Sequence, residues 1–370
     1  MRLGREVRVV EFYRQSVGIP GGGAVRNAQR LRGAARTGGI AAARRCVREG
    51  FHELFFWSFH RKISGIVSAS QSLTDPHSLS EHFRRGGHES NFLAIGGRES
   101  EFLAIMPLNI PKALQLGQLI NVAYTSGTAI PPNYAIPAGS DYKLMDVING
   151  NDLATEIGGA KLNVPFGFIA KNVENDLVVV IRGTLGIWEW IQDARFLRVP
   201  CPLAPGAGET EDGFTSVYQS LTVGATASSL FAYLKSVNPL ANSITITGHS
   251  LGSALATLLA YDLAVNSVYT NPSVVTFASP QVGDLQFVDT YNNEVPDTYR
   301  IANVPDIVPG LPGPLLGYDH IDQLVRVNSI GKAKAVPTCT HSLDTYLYLL
   351  DLMHGGNTFQ LSDGCQGWLF

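Results

Sequence analysis

Ser243-Ile-Thr-Ile-Thr-Gly248-His249-Ser250-Leu251-Gly252-Ser253-Ala-Leu-Ala-Thr-Leu-Leu-Ala260 decides the fold. Its first five residues, rich in β-branched side chains, predict a short strand. The alanine- and leucine-rich run after Gly252 predicts a helix. Between them Gly248-His249-Ser250-Leu251-Gly252 reads G-x-S-x-G. A serine at a sharp strand-to-helix turn has strained backbone angles, and neighbouring chain must pass close to it. Glycines two positions before and after remove the side chains that would clash, so the Ser250 hydroxyl can project above the sheet edge. The five-residue pattern is common. A strand before it and a helix with small residues at Ser253, Ala254 and Ala256 after it make the signal specific.

Working outward, strands and helices alternate. Ile110–Thr125 has the stripe of a helix, with Leu114, Leu116, Leu119, Ile120 and Ala123 on one side. Asn163–Ala170 and Asp176–Arg182 predict strands joined by the polar turn Lys171–Asn175. Leu177-Val-Val-Val-Ile181 is apolar on both faces, as a covered central strand is. Glu211–Ala232 reads as one helix. Strand 273–278, helix Leu285–Asn293, strand Thr298–Ala302, strand Gln323–Asn328 and helix Ser342–Met353 follow. The expectation is an α/β fold, a mostly parallel central sheet with helices on both faces.

A serine hydroxyl is a weak nucleophile until a neutral imidazole takes its proton, and a carboxylate fixes that imidazole's tautomer. In folds with this elbow the chain order is Ser, then Asp or Glu, then His. Three histidines follow Ser250. His341 stands directly before the last helix and is the expected base; His320 precedes a strand, and His354 lies past the helix. Asp306, three residues beyond a strand and flanked by Pro305 and Pro309, is the expected acid, with Asp284 as the alternative. Asp262, Asp344 and Asp351 fall on helices and read as solvated faces or caps.

Six segments carry a resemblance. Val180-Ile-Arg-Gly-Thr184-Leu-Gly-Ile-Trp188-Glu-Trp190-Ile-Gln-Asp193-Ala-Arg-Phe196 is the first, and Asp212-Gly-Phe214-Thr-Ser-Val-Tyr218 the second. The elbow Thr247–Gly252, Phe277-Ala-Ser-Pro-Gln-Val-Gly283-Asp284, Asn303-Val-Pro-Asp306-Ile-Val-Pro309 and His341-Ser-Leu-Asp-Thr-Tyr-Leu347 complete the series. In this order they resemble the fungal-type, class 3 triacylglycerol lipases over about Pro107 to Met353. The family's usual histidine ahead of Gly-Phe is Asp212 here. The resemblance implies an α/β-hydrolase fold with a helical lid and a Ser250–Asp306–His341 triad that hydrolyses long-chain acyl esters. It places the oxyanion-hole donors at the N–H groups of Leu251 and Thr184. It also makes 185–197 a lid, with Ile187, Trp188 and Leu197 covering the site. Asp193 is then expected to reach back to the Thr184 loop. A phospholipase A1 or a feruloyl-type esterase on the same scaffold are the enzyme alternatives, and an inactive binding protein the non-enzyme one.

Composition sets the limits. The 370 residues carry a net charge of −3, unevenly spread. Residues 1–105 hold 16 Lys+Arg against 9 Asp+Glu, and 15 of those 16 are arginine; residues 106–370 hold 12 against 22. Residues 12–48 lack Asp and Glu altogether. Gly86-Gly-His-Glu-Ser-Asn-Phe-Leu-Ala-Ile95 is followed at once by Gly96-Gly-Arg-Glu-Ser-Glu-Phe-Leu-Ala-Ile105, a tandem copy too short for a solenoid. The expected organisation is an Arg-rich extension over 1–105, disordered or a non-native leader, and a lipase-like domain over 106–370 that starts near Met106. No apolar run approaches the ~18 residues of a transmembrane helix, and no nucleic-acid motif accompanies the arginines. The expected partner is a lipid or ester at an oil–water interface, with no cofactor and no metal. Neither C-x-x-C nor H-E-x-x-H occurs, and Cys201, Cys339 and Cys365 allow one bridge without choosing it. No signal core and cleavage site follow the arginine pairs, so localisation stays open, as does the oligomeric state.

Overall fold

A computed structural model of the chain describes residues 108–126, 132, 134–157, 160–184, 191, 196–224, 227–321 and 323–367. The Arg-rich extension and the tandem repeat lie outside the described residues. The described chain opens with helix α1 (Ile110–Ser126) and strands β1 (Lys143–Ile157), β2 (Ala160–Lys171) and β3 (Leu177–Ile181). Next come β4 (Arg198–Pro200), β5 (Glu209–Glu211), α2 (Asp212–Ser220), β6 (Thr222–Val223), β7 (Ser228–Ser229) and α3 (Leu230–Ser236). The elbow joins β8 (Ile244–His249) to α4 (Leu251–Asn266). Then follow β9 (Ser273–Phe277), α5 (Leu285–Glu294), β10 (Thr298–Asn303), β11 (Leu324–Val327), α6 (Pro337–Thr340) and α7 (Leu343–Met353).

Among the described residues nine strands form one sheet in the order β11-β10-β9-β8-β3-β2-β1-β6-β7, and β4 and β5 form a separate ribbon. The five strands from β11 to β3 run parallel. β2, β1, β6 and β7 extend that sheet antiparallel. This is the mostly parallel sheet expected from the alternation of strands and helices, in the α/β-hydrolase arrangement that the resemblance implied. β3 shows why it needs cover on both sides: all five of its residues are buried. Leu177, Val179 and Ile181 enter a core shared with α2, α4 and α5, whereas Val178 and Val180 enter one shared with α1 and α7. The period of two sorts the strand between the cores.

Two expectations need correction. Glu211–Ala232 is not one helix. α2 ends at Ser220, Leu221 takes extended angles, and Thr222 and Val223 pair with Asn149 and Ile148 of β1. β-Branched residues followed by Gly224 at φ 71° favour that hairpin over a continuing helix, and Ser229 caps the new helix by accepting from Ala232 N–H. β1 itself was not expected, because Asn149-Gly150-Asn151 interrupts its alternation; its pairing with β2 shifts register at that point.

The cysteines resolve too. Cys339 and Cys365 form a disulfide across a separation of 26 residues, while Cys201 is a buried free thiol. The bridge ties the C-terminal segment to α6, and Lys334 reinforces it by donating its backbone N–H to Cys365 O and its Nζ to Gly364 O. Closing a loop of this length restricts the unfolded chain, so Cys365→Ser should lower unfolding stability by about 2–4 kcal/mol. Urea unfolding without reductant measures it. An unchanged midpoint, or a parent insensitive to reduction, would remove the bridge as a stabiliser.

Candidate active site

The elbow sits where β8 meets α4. Ser250 has φ 57° and ψ −127°, a strained position for a non-glycine residue. A Cβ on Gly248 would strike the Gly252 carbonyl, and one on Gly252 would strike the carbonyls of Ile181 and Arg182. Both glycines are therefore steric requirements of the turn. Ser250 N–H donates to Phe277 O at 3.0 Å, and the Ser253 hydroxyl donates to Gly248 O and Phe277 O, each at 2.8 Å. The turn is thereby locked to the end of β9.

Three side chains far apart in sequence meet here in one line. His341 Nε2 lies 2.9 Å from Ser250 Oγ, and His341 Nδ1 lies 2.8 Å from Asp306 Oδ2. With Nδ1 donating to the carboxylate, Nε2 is the acceptor facing the serine hydroxyl. All three residues are buried. Asp306 also accepts from Val308 N–H at 3.0 Å and from the Tyr346 hydroxyl at 2.7 Å. Burial and the neighbouring Asp306 charge push the Tyr346 phenol well above its usual range, so it stays a donor. Asn303 steadies both loops: its N–H donates to Tyr346 Oη, and its Nδ2 donates to Thr340 O and Ser329 Oγ.

Leu251 follows the serine in the chain, and Thr184 follows Gly183, whose backbone lies against the elbow. Leu251 is the first residue of α4, where N–H groups lack intrahelical partners. Thr184 follows β3 and is buried. Gly183 lies so near the elbow that a Cβ there would come within 2.9 Å of Ser250 Cβ and 2.8 Å of His249 O. This strap is pinned from α1. Gly183 N–H donates to Tyr124 Oη at 2.8 Å, and the Tyr124 hydroxyl lies 2.8 Å from His249 Nδ1. His249 Nε2 lies 2.9 Å from His341 O. A carbonyl only accepts, so His249 carries its proton on Nε2 and accepts a hydrogen bond from the Tyr124 hydroxyl at Nδ1. Burial first, and then the nearby His341, push the His249 pKa well below its ordinary value, which keeps the ring neutral. The structure thus joins strap, elbow and the His341 loop through residues to which the motif reading gave no role: Tyr124, His249, Asn303 and Tyr346.

The other candidates stand elsewhere. Asp284 caps α5, accepting from Phe287 N–H and Glu209 N–H. His354 is the C-cap of α7. His320 Nε2 bonds Pro309 O. Asp262 and Asp351 are corrections, since both are buried rather than solvated. Asp262 accepts from the Tyr218 hydroxyl at 2.5 Å, and Asp351 accepts from the N–H groups of Thr358 and Phe359. Of the expected lid residues, Leu197 is exposed; Ile187, Trp188 and Asp193 lie outside the described residues. Among the described residues no group of three or more His, Cys, Asp or Glu side chains is placed to hold a metal ion. None of the helices described there is long and apolar enough to cross a membrane.

The chain is similar to known proteins. The family model for lipase (class 3) matches residues 178–316. Phospholipase A1-II 3 of Oryza sativa subsp. japonica is 35% identical over 210 residues, covering 49% of this chain and 50% of that protein. Secreted mono- and diacylglycerol lipase 1 of Fusarium solani is 30% identical over 162 residues, covering 44% and 47% respectively. The chain spans about half the length of the curated relatives it matches. A solved Rhizomucor miehei lipase propeptide complex superposes with a TM-score of 0.47 at 24% identity, covering 59% of this chain and 68% of that one. Residues 178–316 thus carry the class 3 lipase family's signature.

The contrast among histidines is testable by pH. Burial, and secondarily Arg300, lower the His320 pKa to about 4. A depressed pKa gives stability that is present above the unfolded value near 6.5 and lost as pH falls towards 4. Urea midpoints should therefore drop between pH 7 and 4.5, with His320 contributing about 1–2 kcal/mol after allowance for its partial exposure. His320→Asn should flatten that part of the profile. An identical pH dependence in the variant would rule out His320 as a source.

Proposed function

We propose that this chain is a member of the class 3 lipase family and hydrolyses carboxylic esters, triacylglycerols or other fatty-acyl esters, through an acyl-enzyme intermediate. Ser250 Oγ attacks the acyl carbon while His341 Nε2 takes its proton. Asp306 holds the ring by Nδ1 and stabilises the imidazolium that forms. The developing oxyanion is met by the N–H groups of Leu251 and Thr184. Collapse returns the proton from His341 to the departing alcohol oxygen. A water then gives its proton to His341, attacks the acyl carbon and releases the fatty acid with Ser250 restored. Every proton in this cycle moves between Ser250, His341, water and the alcohol. The line Ser250 Oγ–His341 Nε2–Nδ1–Asp306 carries the reading. The same line disfavours an inactive binding protein, because its buried polar groups are arranged for proton transfer.

A second reading is favoured by one observation: relatives named phospholipase A1 match with identities up to 35%. On that reading the ester is the sn-1 bond of a phospholipid, cleaved by the same residues. Phosphatidylcholine, emulsified triacylglycerol and a chain-length series of p-nitrophenyl esters, assayed side by side, separate the two. The activity is assigned to residues 106–370, and a chain beginning at Met106 should retain it.

Ser250→Ala and His341→Ala should each lower kcat by roughly 10⁴-fold with little change in KM. More than a few per cent of parental turnover in either folded variant would refute the triad. For the segment 185–197 as a lid bearing Ile187, Trp188 and Leu197, turnover of one ester should rise as it passes from monomer to emulsion. Smooth saturation through the solubility limit would make these residues ordinary packing.

A further inference from the structure

Gly310-Leu-Pro-Gly-Pro-Leu-Leu-Gly317 continues the loop that carries Asp306, at the sheet edge where β8, β9 and β10 end. Its eight residues contain no charged side chain and none able to hydrogen-bond. Pro314–Leu316 forms a single 3₁₀ turn between Gly313 at φ 97° and Gly317 at φ 77°. That turn exposes Leu315 at 96% and Leu316 at 50%. Leu315 gains nothing from the interior, so its position there calls for another explanation.

All but one of the N–H groups in this knuckle are satisfied within the protein, the exception being that of Leu315. Gly310 donates to Ile307 O, Leu311 to Val308 O, Leu316 to Gly313 O and Gly317 to Pro314 O. Gly313 N–H donates to Gln281 Oε1 at 2.7 Å, and Gln281 N–H returns a bond to Leu311 O at 2.8 Å. Pro312 and Pro314 have no N–H to satisfy. Entering hydrocarbon strips water from every exposed donor, and here few are left to strip. The base is equally firm. Arg198 donates to Gly317 O at 3.1 Å and lies over the Tyr318 ring, while the Tyr318 hydroxyl donates to Phe196 O at 3.2 Å. Leu197, 54% exposed, stands between these two anchoring residues.

We infer that Leu315 and Leu316, with Leu197 beside their base, form a rigid wedge that inserts into a lipid surface and docks the edge carrying Ser250 against it. The inference rests on reading that edge as an acyl-ester hydrolase site. The chemistry favours lipid over protein. Protein hot spots are rich in Trp, Tyr and Arg and poor in Leu, whereas this wedge is purely aliphatic with all but one of its peptide donors paired. Insertion strength follows the apolar area removed from water.

The test uses the full chain carrying Ser250→Ala, so that nothing is hydrolysed, in flotation with phosphatidylcholine vesicles. Adding L315S and L316S together should weaken partition by about tenfold or more, as expected for losing even part of two leucines' burial. L315F should keep it. In the otherwise unmodified chain, L315S/L316S should turn over the monomeric ester p-nitrophenyl butyrate within twofold of the parent, which shows that fold and site are intact. Unchanged partition in the double variant overturns the wedge. So does an absence of vesicle binding in the parent, or a dimer that the double variant dissociates in its place. Loss of p-nitrophenyl butyrate turnover in the parent itself would refute the hydrolase reading, while the flotation result still reports on insertion.

Discussion

The position of one imidazole governs the whole sheet edge. His341 is held at its ring and at its backbone: Nδ1 by Asp306, Nε2 against Ser250, its N–H by Pro337 O and its carbonyl by His249 Nε2. Each partner comes from a different part of the chain. Asp306 follows β10, Ser250 follows β8, and Pro337 begins α6. His249 in turn answers to Tyr124 at the end of α1 and, through it, to Gly183 after β3. An error in any of these would reach the serine through the same ring.

Such a buried polar assembly is costly unless each member is paired. Asp306 shows the compensation. Its carboxylate receives the His341 Nδ1–H, the Tyr346 hydroxyl and the Val308 N–H, so burial leaves it three donors. His249 stays uncharged because burial, and then the nearby His341, push its pKa well below the ordinary value. The strap and the base are therefore coupled by neutral hydrogen bonds that do not titrate with the chemistry. The disulfide between Cys339 and Cys365 adds a covalent hold two residues before His341. The polar contacts set direction, and the bridge limits how far α6 can drift.

Order at this edge ends in an apolar margin. The loop that supplies Asp306 goes on to supply Leu315 and Leu316, and the residues that anchor it lie beside Leu197. One stretch of chain thus holds the acid inside and offers hydrocarbon outside. Prolines and paired N–H groups keep those two ends rigid with respect to each other.

Local sterics made much of this legible from residues alone. Gly248 and Gly252 demand an elbow at Ser250, and the run Leu177–Ile181 demands a strand covered on both faces, because each follows from clashes and periods within a few residues. The hairpin Thr222–Ser229 was hidden inside an apparent helix, since two β-branched residues and Gly224 are a short local signal that the pairing with β1 completes. The burial of Asp262 and Asp351 was hidden likewise, because their donors come from Tyr218 and from Thr358 and Phe359. Chain order and loop position singled out His341 and Asp306 among several candidates. Only the tertiary structure brings them together with Ser250, across separations of 35 and 91 residues. It alone recruits Tyr124, His249, Asn303 and Tyr346, whose roles are contacts between elements. A motif records what a turn needs from its own neighbours; a hydrogen bond between distant loops exists only after the sheet has aligned the ends of its strands.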